Sequence, residues 1–152
     1  MKIKTVISAD NEEEILIRCK SKTEQIKRIE SILENLLICE KEMVLTIAET
    51  DYYILINDIL FFESFDGKIY AHTKNRIFTC KHKLYELEAI LPSIFVRISK
   101  STIANIMTIT SLRRELVGNG EITFKDCGKK AYFSRGYYKH LRDKMDEMRL
   151  GK

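Results

Sequence analysis

"DILFFESFDGKIYAHT", residues 58–73, decides the fold. An apolar run at 59–64 is followed by Asp66-Gly67 and then by "KIYAHT". An Asp-Gly pair between two such runs is the strongest short-range hairpin signal, because glycine adopts φ > 0 without steric cost. Working outward, "MVLTIAETDYYILIN" predicts two more strands joined by a tight turn at residues 49–51. "RIFTC" (76–80) predicts another, reached through a turn at residues 74–75. "KHKLYELEAILP" (81–92) is a helical interruption: Leu84, Leu87 and Leu91 share a face and Pro92 stops it. The β pattern then resumes in "SIFVRIS", "STIANIMTITSL", "RRELVG", "EITF" and "KKAYFS", with turns at residues 118–120 and 126–128.

Helical periodicity marks both flanks. Near the start, Ser21 and Glu24 fit a capping box, and Ile26, Ile29, Leu33 and Leu36 form one face widened by Ile32 and Leu37. That face has two readings, packing on its own domain or pairing with the helix of a second copy. Two β-like runs, "KIKTVIS" (2–8) and "EILIRC" (14–19), precede it. At the other end, Ser134 is placed to cap a helix whose apolar residues are Tyr138, Leu141, Met145 and Met148. The expected organisation is a β-β-helix segment over residues 1–42, with a possible dimerisation role, then one domain over 43–152. The fold class is mainly β with short helices (α+β), in small antiparallel sheets.

Composition narrows the function. Residues 97–144 hold 11 basic and 4 acidic side chains, against 8 and 9 over residues 1–43. A basic region on a neutral remainder is the footprint of a polyanion binder, although a solvated lysine-rich surface has the same composition. No apolar run reaches the roughly 20 residues of a membrane span, and the N-terminus lacks a signal-peptide core. No membrane insertion and a cytoplasmic location are therefore expected. Cys19, Cys39, Cys80 and Cys127 show no metal-ligand spacing and read as reduced, mostly packed thiols. A phosphate-binding glycine loop, a GxSxG elbow and an HExxH pair are all lacking, so neither enzymatic activity nor a metal or cofactor is expected. His72 reads as an ordinary sheet residue, and Glu63 and Asp66 as turn caps.

The chemistry concentrates in "VRISKSTIANI", residues 96–106. Ser99 and Ser101 are short donors suited to phosphate oxygens, and Lys100 between them can reach guanine O6 or N7. Arg97 shares a strand face with Ser99 and either meets the DNA backbone or pairs with a carboxylate. Asn105 reads as satisfying a turn. Ser134 at a helix start, with Arg135 beside it, is a second anion-binding position. Arg113, Arg114, Lys129 and Lys130 lie in or beside turns and add non-specific attraction.

The ordered set "DILFFESFDGKIYAHT", "KLYELEAILP", "FVRISKSTIANI" and "YFSRGYYKHL" closely resembles the LytTR family of bacterial DNA-binding domains. The resemblance covers residues 43 to about 142. It implies an elongated array of small sheets whose loops, not a helix, enter successive major grooves of double-stranded DNA. The positions it points to are Lys68 in the loop after "FFE", Lys100 in "RISKS", and Ser134, Arg135 and Gly136 in the "SRG" turn. Two departures stand out: the first loop is short, and Gly136 stands where many members carry a second basic residue. Most relatives bear a phosphoacceptor receiver domain, which 42 residues cannot hold. The chain thus resembles a stand-alone member, expected to bind repeated sites as a homodimer, at least on DNA. The competing expectation is a protein-interaction module of the same fold with weak or lost DNA binding.

Overall fold

In the computed structural model, residues 15–116 and 118–150 are described. The chain runs α1 (Glu24–Cys39), β1 (Glu42–Ile47), β2 (Thr50–Leu55), β3 (Ile59–Phe65), β4 (Lys68–Thr73) and β5 (Ile77–Cys80). Then come α2 (Leu84–Ile90), β6 (Phe95–Arg97), β7 (Thr102–Asn105), β8 (Ile109–Arg114), β9 (Gly120–Phe124), β10 (Lys130–Phe133) and α3 (Tyr138–Met145). A π-helical turn, Asp146–Leu150, extends α3. Seven strands form one antiparallel sheet in the order β2-β1-β5-β4-β3-β7-β6, and three form a second, β10-β9-β8.

β3 organises the packing. Successive strand residues point to opposite faces, so the adjacent Phe61 and Phe62 enter different cores. Phe62 joins Leu45, Ile59, Phe78, Leu87 and Ile103 under α2. Phe61 joins Ile98, Ile106, Ile122, Phe124, Phe133 and Leu141, between the second sheet and α3. Each buried phenylalanine contributes about 1.5–3 kcal/mol. A strand buried on both faces holds the two sheets at a fixed relation.

The 58–73 hairpin forms as expected: Phe65 faces Lys68 across Asp66 (φ 48°) and Gly67 (φ 73°). Several other expectations are corrected. The turn between β1 and β2 lies at Ala48 (φ 45°) and Glu49 (φ 69°), because Ile47 pairs with Thr50. "STIANIMTITSL" is not one strand: a 3-10 turn, Ile106–Thr108, breaks it where the chain passes between sheets. The run expected at 14–19 has no strand structure from residue 15 on, with Ile15 and Leu16 exposed, and no described strand takes up its backbone groups. The run at 2–8 lies outside the described residues. Thr23, not Ser21, caps α1, its hydroxyl accepting from Ile26 N–H at 3.4 Å. Cys80 is buried, Cys127 half-buried and Cys19 exposed, all free; the Cys39 side chain lies outside the described set.

Candidate nucleic-acid interface

Three loops meet at one end of the sheets. The β3–β4 hairpin carries Lys68, exposed. Ser64 N–H, at the end of β3, donates to the Ser101 carbonyl at 2.7 Å, joining that hairpin to the loop of residues 98–101. Ser134 N–H donates to the Ile98 carbonyl at 2.9 Å, joining the same loop to the 134–136 turn. Lys68, Lys100 and Arg135 are exposed, and their charged ends make no hydrogen bond or ion pair among the described residues.

Arg97 is built inward. Its Nε donates to the Ser99 carbonyl at 2.7 Å, its Nη1 to Glu88 Oε2 at 2.7 Å, and its Nη2 to the Lys100 carbonyl. The guanidinium, with five N–H donors in a rigid planar fork, holds two carbonyls and a carboxylate at once in one fixed geometry. Arg97 therefore takes the carboxylate partner that was one of its two readings and braces the loop from within. Ser99 is likewise turned in: it is buried, and its Oγ accepts from Ser101 N–H at 3.2 Å. Ser101 is exposed, with its hydroxyl 3.4 Å from that of Ser99. The effect is to hold the Lys100 side chain at an outward tip.

The second anchor differs in detail from expectation. Ser134 precedes a 3-10 turn, Arg135–Tyr137, and its hydroxyl makes no capping bond. Gly136 is exposed, and a Cβ built on it meets nothing within 4 Å, so the missing side chain leaves open space. Beside it stands the β8–β9 hairpin, whose Asn119 Oδ1 accepts from Arg135 N–H at 3.0 Å. The four cations expected to add diffuse attraction are all engaged. Lys130 lies 3.1 Å and Arg113 4.0 Å from Glu121. Arg114 sits 4.6 Å over the Tyr138 ring, and Lys129 donates to the Thr73 and Arg76 carbonyls at 2.6 and 2.9 Å.

Between the sheets these loops border a cleft of about 530 Å³ lined by Glu63, Ser99, Ser101, Asn119, Tyr132 and Ser134, among others. Glu63 is not a turn cap: its Oε1 lies 2.8 Å from His72 Nε2. His72 is buried and stacked on Phe61, with centroids 4.0 Å apart. Burial pushes the His72 pKa below its ordinary value, Lys129 adds to that, and Glu63 opposes it. A neutral imidazole donating Nε2–H to Glu63 satisfies both groups. Burial also lowers the Lys129 pKa. No group of three metal-ligating side chains occurs among the described residues. No described helix is long and apolar enough to cross a membrane.

A family model described as the LytTr DNA-binding domain matches residues 49–146. The chain belongs to that family. It is 37% identical over 94 residues to an uncharacterized HTH-type transcriptional regulator of Staphylococcus aureus strain bovine RF122 / ET3-1, covering 62% of this chain and 63% of that protein. A counterpart in strain NCTC 8325 / PS 47 is 36% identical over the same shares. The chain thus spans somewhat under two thirds of the length of these relatives. A solved LytTr DNA-binding domain, from a protein described as a methyl-accepting/DNA response regulator of Bacillus cereus, superposes with a TM-score of 0.65. It is 21% identical and covers 69% of this chain and 96% of that one, which shows a shared fold.

Within this LytTR domain, sequence reasoning missed Glu88, Asn119 and the Glu63–His72 pair as parts of the site. Glu88 and Asn119 act from other elements, 9 and 16 residues away, on Arg97 and Arg135, and nothing local marks them. The Glu63–His72 pair had a usable signal: Phe61 faces His72 in the ladder, so Glu63 lies two residues along the same face of β3.

Proposed function

We propose that this protein is a sequence-specific, DNA-binding transcriptional regulator of the cytoplasm. Loops 66–68, 98–101 and 134–136 lie in the major grooves of double-stranded DNA. One observation carries this: two backbone hydrogen bonds, Ser64 to Ser101 and Ser134 to Ile98, gather three cation-bearing loops on one rim. Lys100 reads a base edge, Lys68 and Arg135 meet the backbone or a neighbouring base, and the Ser101 and Ser134 hydroxyls donate to phosphates. Arg97 and Ser99 hold Lys100 in place from behind. Gly136 lets the backbone approach the duplex but contributes no donor of its own beyond its N–H. No cofactor enters this scheme, and no catalysis is assigned.

The test is a binding titration against DNA upstream of the protein's own gene, with random competitor, at several salt concentrations. A specific complex that survives competitor and weakens steeply with salt is expected. Equal affinity for all sequences would overturn sequence-specific readout. A second reading, a protein-interaction module of the same fold, is favoured by the open space at Gly136 and by exposed Ile32, Leu36 and Leu37 on α1. Unchanged anisotropy of labelled DNA at low salt would select it. We further infer a homodimer on repeated sites; the same three exposed side chains support it.

A further inference from the structure

We propose that Gly118 and Asn119, in the β8–β9 hairpin, are positioning residues that aim Arg135, making this hairpin a fourth, specificity-determining arm of the DNA surface. The inference rests on the assignment of Arg135 to the duplex. It starts from two independent contacts. Asn119 Oδ1 accepts from the Arg135 backbone N–H at 3.0 Å, which fixes the start of the 3-10 turn relative to the hairpin. Gly118 fixes the side chain: a Cβ there would stand 2.8 Å from Arg135 Cδ and 2.9 Å from Cγ. The arginine stem therefore lies directly on the glycine backbone. Gly118 also has φ +90°, a conformation that side-chain-bearing residues rarely adopt.

These contacts solve a specific problem. An exposed arginine has many rotamers, and ordering it on DNA costs side-chain entropy. Laying the stem against the Gly118 backbone restricts those rotamers before binding while leaving the guanidinium unpaired. Arginine read out in this preorganised way discriminates bases; a waving one supplies only charge. Asn119 spends its carbonyl oxygen on Arg135 and keeps its NH2 group without a hydrogen-bond partner among the described residues, on the cleft that Ser134 also lines.

The full-length protein is first used to select a duplex from a random-sequence pool. Wild type, Gly118→Ala, Asn119→Ala, Arg135→Ala and the two double variants with Arg135→Ala are then titrated on the selected and on a random duplex. Gly118→Ala and Asn119→Ala should each weaken the selected duplex about tenfold and leave the random one within about twofold. In the Arg135→Ala background neither should have any further effect. Equal losses in both backgrounds, equal losses on both duplexes, or no loss from Arg135→Ala would overturn the inference while leaving the regulator assignment standing. Failure of wild type to enrich any duplex would instead remove that assignment, and the inference with it. Should Gly118→Ala unfold, judged by loss of a cooperative thermal transition, Asn119→Ala decides the matter alone.

Discussion

Arg97 and Lys100 are three residues apart and both cationic, yet their surroundings give them opposite tasks. Arg97 holds two carbonyls of its own loop and Glu88; the Lys100 ammonium has no partner among the described residues. Arg97→Met should therefore cost about 1–3 kcal/mol of specific binding by releasing the loop, with the slope of log affinity against log salt unchanged. A slope shallower by about 0.9 would show that Arg97 neutralises a phosphate after all. Gly136→Lys should do the reverse. Its side chain enters open space, so random-duplex affinity should rise and the slope steepen by about 0.9. His72 offers a test of the fold beneath the loops. Its folded pKa is lowered, chiefly by burial, so the unfolded chain takes up a proton first as pH falls. Its contribution to stability is complete above about pH 6.5 and is lost as pH drops through the folded value. Denaturant unfolding should show this loss in wild type and a weaker pH dependence in His72→Gln; parallel curves would contradict it. The outward cations were legible in the sequence because charge and exposure go together. For Arg97 the sequence left two readings open, because Glu88 sits on another element nine residues away; the inward turn of Ser99 was not legible.

Among the elements, the passage from β7 to β8 bears most on the site, since it carries the chain from one sheet to the other. Asn105 makes that passage. It is fully buried, donates Nδ2–H to the Ile59 carbonyl at 3.2 Å, and accepts from Met107 N–H at 3.1 Å. Thr108 Oγ1 adds a bond to its carbonyl at 2.8 Å. Asn105→Ala leaves a buried carbonyl and a backbone N–H without their partners, and should cost about 1–3 kcal/mol for each orphaned group. Asn105→Asp keeps the bond to Met107 but sets a carboxylate against the Ile59 oxygen, so it should not restore stability. Equal stability of Asp and wild type in urea unfolding would show that the Ile59 bond contributes nothing. The turn role of Asn105 was legible; the strand break after it was not, since Ile106 and Ile109 are as apolar as a continuing strand requires. A similar limit applies at Ala48-Glu49. Neither residue favours positive φ, and the turn is imposed by the register of β1 against β2. Asp66-Gly67 was legible because there the local preference and the ladder agree.

At the scale of the whole molecule, charge and α1 bear on the same question, how many copies sit on one stretch of DNA. α1 lies outside the stretch that matches the family, and it is tied to the domain by polar contacts. Asn35 Nδ2 donates to Ser93 Oγ at 2.8 Å and its Oδ1 accepts from Ser93 N–H at 3.1 Å, while Arg28 donates to the Glu147 carbonyl at 2.9 Å. This orientation half-buries Ile26, Ile29 and Leu33 and leaves Ile32, Leu36 and Leu37 exposed. Docking on its own domain thus uses part of the apolar face and leaves Ile32, Leu36 and Leu37 uncovered, the surface on which the proposed pairing rests. The salt dependence counts the copies. Each phosphate that a protomer neutralises adds about 0.9 to the slope, so a dimer on two repeats should give twice the slope of one protomer on a single repeat. Leu36 is 58% exposed, so Leu36→Glu should cost the free protomer little stability. On a two-repeat duplex it should abolish cooperative binding while leaving the affinity for one repeat unchanged. Cooperative binding that survives Leu36→Glu would mean that pairing runs through another surface, with the loop chemistry of each protomer untouched.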